Sequence, residues 1–225
     1  MEPQYHERIL QRALLGKFSP LALQVIISAN KKQDGWRGQI GHPEYHFDDN
    51  AIEQAQVYID QQQEIVLRVL KSYKEEGKQP EKIELAWKAL GRLTHTAQDY
   101  YAHSNYVALW IASISEGKKP PPEKIEPRDM QIMTHPDLHT GRVYPLELIS
   151  YVIPFLKPLA KLCLPGDAHL HHNLDAPDRG PLFDYAFVAA LKRTQFEFER
   201  IAEKLNLTQL ERFSGGVIRP KQTVT

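Results

Sequence analysis

The sequence predicts an all-α protein that folds as a single compact multi-helix bundle. Apolar residues recur at helical spacing through several long segments, whereas no strand pattern of useful length and no internal repeat is present. The 225 residues are 42% hydrophobic and 25% charged, which is typical of a globular domain with a sizeable core. We expect one helical domain over residues 1–213 and a polar, mobile tail over residues 214–225.

The first half of the chain contains four predicted helices. Asp49 or Asn50 caps the third of them, and the Gly-Lys-Gln-Pro run at 77–80 ends it. The fourth is long and is expected to break near Ser104 and Asn105. The predicted segments run from His6 to Leu15, from Leu21 to Asn30, from Ala51 to about Glu76, and from Glu81 to Ser115.

The second half contains two longer predicted helices, and loops rich in polar residues separate the elements. The segment from Leu146 to Leu164 is expected to kink at Pro154 and Pro158, because proline removes a helical hydrogen bond. The last helix spans Leu182 to Leu205. A Gly-rich loop at 31–45 and a loop rich in His and Asp at 165–181 are the places where function is expected, since loops on a rigid scaffold often carry it.

Charge and cysteine content exclude a strong overall charge, a disulfide bond and a cysteine-based metal site. Lys plus Arg and Asp plus Glu both total 28, so the chain has no overall field that would attract nucleic acid or an anionic membrane. Cys163 is the single cysteine, which rules out an intrachain disulfide and a cysteine-based metal site.

The termini and the apolar runs bear on localisation. The first residues show no basic start followed by an apolar run, so the sequence as given predicts a cytoplasmic protein. The nearest approach to a membrane span, Tyr144 to Leu164, is interrupted by prolines and lysines. We therefore expect no transmembrane segment and leave contact with a membrane surface open.

The most informative stretch is the run from Leu90 to Asn105, where His95, Asp99 and His103 are each four residues apart. On a helix such neighbours lie about 5–6 Å apart on one face. Two imidazoles and a carboxylate beside an apolar core are costly unless something satisfies them. A transition metal such as zinc does so directly, because His nitrogen and Asp oxygen are among its preferred ligands.

Further His and Asp residues fall into three groups. His6 starts the first helix, Asp34 lies in the Gly-rich loop, and His46, Asp48 and Asp49 follow it. The loop at 165–181 carries the remaining candidates, which are His169, His171, His172, Asp175 and Asp178. His171 and Asp175 repeat the four-residue spacing of His95 and Asp99, and His169 is a substitute for His171 if the register slips by two.

In these residues, taken in order, the chain resembles the superfamily of zinc-dependent phospholipases C and single-strand-specific nucleases. It looks closest to the branch of the fungal heterokaryon-incompatibility protein C. The most specific part of the likeness is the run from Leu93 to Asn105, and the pieces together span roughly residues 6–200. The resemblance implies a compact all-α bundle with two or three zinc ions in a cleft; relatives are often secreted.

The resemblance also implies a ligand set. Asp34, His46, His95 and Asp99 would hold a first zinc, and His103, His171 and Asp175 a second. His6, with Asp99 bridging, would hold part of a third, which in the family is completed by the amine and carbonyl of the mature N-terminus. The four-residue step from Asp99 to His103 is shorter than in the secreted enzymes and matches the heterokaryon-incompatibility branch.

The expected chemistry is phosphodiester hydrolysis, because clustered metal ions clamp a phosphodiester and activate water. Asp34 is the candidate catalytic residue, as a ligand that also accepts the proton of the attacking water. Four further residues could hydrogen-bond the metal ligands or contact the substrate: Asp48, Asp49, Asn105 and Asp178. Asp48 or Asp49 equally suits the role of a helix cap.

Two readings of function remain open on the sequence. The first is a phospholipase C-like hydrolase, with a nuclease of the same superfamily as a variant, so the substrate is a phospholipid or a single-stranded nucleic acid. The second is a non-catalytic zinc protein that acts by binding a partner. Two other metal classes are excluded: the chain lacks the paired Glu-x-x-His motifs of di-iron bundles and the His-Asp dipeptide of His-Asp phosphohydrolases.

Overall fold

The computed structural model describes residues 1–35, 38, 41–72, 80–114 and 119–218. Within these residues the chain forms twelve α-helices and no β-sheet, which confirms the predicted all-α bundle. In chain order the helices are α1 (Pro3–Ala13), α2 (Pro20–Lys31), α3 (Pro43–His46), α4 (Ile52–Ser72), α5 (Pro80–His103), α6 (Tyr106–Ile114), α7 (Met130–Met133), α8 (Pro145–Val152), α9 (Lys157–Cys163), α10 (His169–His172), α11 (Phe183–Ala202) and α12 (Leu207–Phe213).

Helix α5 is the centre of the bundle, where it packs against α2, α4 and α11. All residues from 93 to 104 are buried, so this part of the helix has no face in water. Its polar side chains must therefore find partners inside the protein. Thr94 donates a hydrogen bond to the Leu90 carbonyl (2.8 Å), and the Gln98 amide donates one to the Thr194 hydroxyl (3.0 Å).

The long helices lie close to where the apolar spacing predicts them. The predicted helix from Glu81 divides at Ser104 and Asn105 into α5 and α6, as expected. The kinked segment after Pro145 becomes α8, a 3₁₀ turn at Pro154–Leu156, and α9. The sequence did not predict α3, α7, α10 and α12, since helices of four to seven residues are too short to display a period.

The end of the described chain is held to the bundle. Ser214, where the predicted tail begins, is buried, and its carbonyl accepts a hydrogen bond from the Ser19 amide (2.8 Å). The indole of Trp87 donates to the Phe213 carbonyl (2.7 Å). Residues 219–225 of the predicted tail lie outside the described residues.

A strained loop follows α3. Phe47, Asp49 and Asn50 adopt left-handed backbone conformations, with φ values of 56°, 55° and 57°. Such conformations cost free energy in residues other than glycine and persist only where surrounding contacts enforce them. Here the Asp49 amide donates to the Gly141 carbonyl (2.9 Å), and the Asn50 amide donates to the Thr140 hydroxyl (2.9 Å).

Residues 140–143 then connect this loop to the loop before α10. The Arg142 amide donates to the Asp167 carbonyl (2.8 Å), and the His169 amide donates to the Arg142 carbonyl (2.7 Å). A Cβ atom at Gly141 would lie 2.6 Å from the Cα of His169, so a side chain there would push the two segments apart. The segments meet at a neck, defined here as the pairing of Arg142 with Ala168.

None of the helices in the described part of the chain combines the length and the apolar character that crossing a membrane requires. This agrees with the expectation that no transmembrane segment is present.

The close crossing of α2 and α5 generates a test of the fold. A Cβ atom at Gly91 would lie 2.4 Å from the Ile26 carbonyl oxygen and 2.8 Å from the Ala29 Cβ. Because backbone cannot yield easily, we expect Gly91→Ala to lower the free energy of unfolding by about 1–3 kcal/mol in urea denaturation. Gly166→Ala is the matched control, since nothing lies within 4 Å of the Cβ it would add. Equal stability of the two variants would contradict the close crossing.

Candidate metal centre

The centre of the candidate site is the fully buried carboxylate of Asp99 on α5. One of its oxygens, Oδ2, lies 3.0 Å from both His46 Nδ1 and His95 Nε2. The other, Oδ1, lies 3.2 Å from His6 Nε2 and 2.5 Å from the α-amine of Met1. A single carboxylate thus faces three imidazoles and an amine, which come from three parts of the chain: the N-terminal residues Met1 and His6, His46, and His95.

The charges around Asp99 shift the titration of their neighbours. Burial favours the neutral acid, but the Met1 amine and the surrounding imidazoles outweigh it and hold the pKa of Asp99 well below its usual range. Burial works against protonation of His46, yet the hydrogen bond and charge of Asp99 raise its pKa. For His95 burial prevails and lowers the pKa to about 4.

The ligand-type atoms form two groups. The first group is His6, Asp34, His95 and Asp99, and the second group is Asp48, His103 and His169. Within each group one nitrogen or oxygen atom of every member lies within 4.8 Å of those of the other members. Nitrogen from His and oxygen from Asp are the donor set that zinc accepts in proteins.

Several of these atoms are buried without a hydrogen bond. Among the described residues, His6 Nε2 and Asp34 Oδ2 of the first group have no partner of acceptable hydrogen-bond geometry, and neither do Asp48 Oδ1 and His169 Nε2 of the second, although Asp48 Oδ1 lies 3.1 Å from His103 Nδ1 as an ion pair. Buried polar atoms in native proteins are nearly always satisfied, so these four require an explanation. A cation placed within each group satisfies them.

Supporting residues orient the imidazoles. Gln98 Oε1 lies 2.5 Å from His6 Nδ1, and Glu147 Oε1 lies 2.8 Å from His169 Nδ1. The backbone carbonyl of His46 lies 2.8 Å from His103 Nδ1. When a carbonyl or carboxylate accepts a hydrogen bond from the N–H of one ring nitrogen, the other nitrogen of the neutral imidazole keeps its lone pair for a metal. For His6 and His169 that other nitrogen is the orphaned Nε2.

Asp175 links the second group to the amine of Met1. Its Oδ1 lies 3.1 Å from His103 Nε2 and 3.2 Å from the Met1 amine. Burial opposes ionisation of Asp175, but that amine and His103 hold its pKa well below its usual range. Burial likewise opposes protonation of His103, while Asp99 and Asp48 raise its pKa well above the usual value.

A cavity of about 270 Å³ is lined by Asp34 of the first group and by Asp48, His103 and His169, the whole of the second group. His46, which contacts Asp99, lines it as well. A larger cavity, of about 480 Å³, lies elsewhere along α2 and α5 and is lined by Lys32, Lys88 and Arg92 among others. Since none of the two groups' members line the larger cavity, the smaller one is the candidate site.

The structure brings most of the predicted ligands together. His6, Asp34, His46, His95, Asp99, His103 and Asp175 all lie around the cavity or the Asp99 carboxylate. His171 is exposed and belongs to neither group, whereas His169, its substitute at a two-residue slip, is buried and lies in the second group. The two lie two residues apart on α10, which is about half a helical turn, so one side chain is buried while the other is exposed.

The predicted supporting residues are placed differently. Asp48 belongs to the second group itself and is not a remote support. Asp49 accepts a hydrogen bond from the Val143 amide (2.9 Å), Asn105 bonds the backbone of His139, and Asp178 is exposed, so none of these three belongs to either group.

Sequence reasoning missed Gln98 and Glu147. Gln98 follows His95 by three residues on the same helix and is buried, so its position was visible in the motif. Glu147 is 22 residues from His169 and had no signal in the sequence, because only the folded backbone at the neck brings the two together.

The opposing charges predict how the metal-free protein responds to pH. The pKa of Asp99 is depressed, so its charge stabilises the fold above the carboxyl pKa of the unfolded chain, about 3.9, and this contribution is lost as the pH falls below that value. The pKa of His103 is raised, so its contribution is complete below about 6.5 and is lost as the pH rises through the folded value.

We therefore expect Asp99→Asn to destabilise the chelated protein by about 3–5 kcal/mol at pH 5, because buried cations lose their counter-charge. The measurement is urea denaturation between pH 3 and pH 9 with a chelator present. Asp178→Asn, at an exposed carboxylate, is the control. If Asp99→Asn unfolded at the same urea concentration as the wild type, the charge assignment would be wrong.

Comparison with known proteins yields one family. A search of curated proteins and a search of solved structures each found no match. The family model described as the VWA7 N-terminal domain matches residues 10–127, which is just over half of the chain and includes Asp34, His46, His95, Asp99 and His103. The chain therefore belongs to the VWA7 N-terminal domain family.

Proposed function

We propose that this chain is a zinc-dependent phosphodiester hydrolase of the phospholipase C type, with two or three zinc ions held at the cavity. The observation that carries the proposal is the pair of ligand groups, since Asp34, Asp48 and His169, which each have an atom without a hydrogen bond, line one cavity. The description of the matching family names no activity, so the proposal rests on the site and on the resemblance of the His-Asp run.

The residues present fit zinc on three counts. Each group offers at least three His or Asp atoms within 4.8 Å of one another. The two most clearly oriented histidines, His6 and His169, are held at Nδ1 by Gln98 and Glu147 and have no hydrogen bond at Nε2. Asp99 presents one oxygen to His46 and His95 and the other to His6, as a bridging carboxylate would.

Zinc bound there would polarise the phosphoryl oxygens and lower the pKa of a bound water. The chain's own contribution is to place a proton acceptor beside that water. Asp34 lines the cavity, is 16% exposed, and keeps Oδ2 without a hydrogen bond. It can therefore both ligate and accept a proton, while the more deeply buried Asp99 holds its neighbours in position.

A cavity that opens to solvent favours catalysis over a purely structural role. Structural zinc sites close their coordination with protein ligands, whereas catalytic sites keep a position for water and substrate. Here Asp48, His103 and His169 line a cavity of about 270 Å³. That space is close to the lower limit of ordinary ligand pockets, which suits a phosphodiester group with its remaining parts outside.

The first test is metal content. We expect elemental analysis of the wild type, prepared with zinc and without chelator, to give two or three zinc ions per chain. Asp99→Asn should lose more than one of them, because its carboxylate faces ligands of more than one ion. Asp178→Asn should keep them all. A wild type without zinc would end the hydrolase proposal, and full zinc content in Asp99→Asn would end the bridging assignment.

The second test is turnover of bis(p-nitrophenyl) phosphate, a soluble phosphodiester. We expect zinc-dependent hydrolysis, and a loss of about 100-fold or more in kcat for Asp34→Asn, as for removal of a general base. Zinc content is measured on the same samples, so that loss of a ligand is separated from loss of the proton acceptor. Stoichiometric zinc without hydrolysis would support the second reading instead, a non-catalytic zinc protein that binds a partner.

A further inference from the structure

The segment from Pro145 to Leu164 carries an unusual amount of exposed apolar surface. The exposed fractions of Phe155 and Leu162 are 79% and 84%, and those of Leu159 and Ile149 are 51% and 47%. Leu159 and Leu162 are three residues apart on α9, the spacing that places side chains on one face, and Phe155 lies in the 3₁₀ turn just before that helix. A contiguous exposed apolar face of this kind normally marks an interaction site.

This segment is built on the wall of the cavity. It consists of α8, the 3₁₀ turn at Pro154–Leu156 and α9, which pack chiefly against one another. Its two ends meet at the neck, where Arg142 pairs with Ala168. Glu147 in its first turn contacts His169 of the second ligand group, and both line the cavity. The segment that carries the apolar face is therefore connected to the second group through the contact of Glu147 with His169.

Beyond Glu147, the charged residues of the segment are all positive. Between residues 148 and 166 the chain has no acidic residue, while Lys157 and Lys161 supply positive charge. Apolar and aromatic side chains combined with lysine are the composition of helices that lie in the surface of a bilayer. A bilayer containing anionic lipid attracts such lysines and takes up the apolar face at the same time.

We infer that the 145–164 segment docks this protein on the surface of a phospholipid bilayer, with the cavity held beside the lipid headgroups. The inference rests on the proposed function for its consequence, which is that the substrate is a membrane phospholipid. Single-stranded nucleic acid fits the segment less well, because it calls for a basic groove with stacking aromatics, and here leucine and isoleucine dominate the exposed face.

The test is co-sedimentation of the full chain with vesicles of equal parts phosphatidylcholine and phosphatidylglycerol. The variant is Phe155→Ser with Leu162→Ser. We expect its partition coefficient to fall roughly a hundredfold, since each apolar side chain withdrawn from the bilayer is worth about tenfold or more. Both positions are highly exposed, so the substitutions leave the core intact, which a thermal melt verifies.

The matched control is Leu15→Ser with Leu21→Ser. These leucines are 79% and 64% exposed but lie after the end of α1 and at the start of α2, away from the segment. We expect the control variant to sediment like the wild type. Cys163, the single cysteine, lies in the segment and is exposed, so a polarity-sensitive dye attached there should shift to the blue on vesicles.

Three outcomes would overturn the inference. The wild type could fail to sediment with vesicles, or the segment variant could sediment as well as the wild type. Alternatively, sedimentation velocity without lipid could show a wild-type dimer that the segment variant abolishes, together with no binding to vesicles, in which case a second copy covers the face.

Hydrolysis assays separate this inference from the proposed function. We expect the segment variant to hydrolyse bis(p-nitrophenyl) phosphate at the wild-type rate and vesicle phospholipid at least about tenfold more slowly, because only the second substrate requires docking. If the wild type bound vesicles but hydrolysed neither substrate, docking would stand and the hydrolase proposal would fail. Hydrolysis of single-stranded DNA at equal rates by both proteins, without turnover of vesicles, would overturn the lipid assignment.

Discussion

The structure depends on burying the charge of Asp99 in the middle of the most enclosed helix. An isolated carboxylate in that position would cost several kcal/mol, so the bundle must surround it with cations or cation ligands. His6, His46 and His95 do this from α1, α3 and α5. Contacts to this carboxylate therefore add to apolar packing in positioning α1 and α3.

The bundle and the central motif were predictable because both depend on local periodicity. The apolar rhythm of α5 and the spacing of His95, Asp99 and His103 follow from 3.6 residues per turn. The assignment of His169, and the place of Asp48 in the second group, were not predictable in this way. They depend on the left-handed backbone of Phe47, Asp49 and Asn50 and on the close approach at Gly141, which only the assembled chain defines.

The two halves of the site have different relations to the chain as a whole. The first group lies almost entirely on helices that pack in the centre of the bundle, and all but His6 falls within residues 10–127. In the second group, His169 comes from beyond that range and is oriented by Glu147 at the base of a peripheral segment. The first group is therefore positioned by the central helices, whereas the position of His169 in the second group depends on the peripheral segment.

The neck between Arg142 and Ala168 makes the 145–164 segment separable from the rest of the bundle. Because its two ends meet through direct backbone hydrogen bonds, the chain between them can lengthen, shorten or change composition beyond Glu147 without moving the ends apart. The ligands at the neck would keep their positions through such exchanges. Changes of sequence in this segment can therefore alter the exposed surface of the protein without disturbing its buried carboxylate and imidazoles.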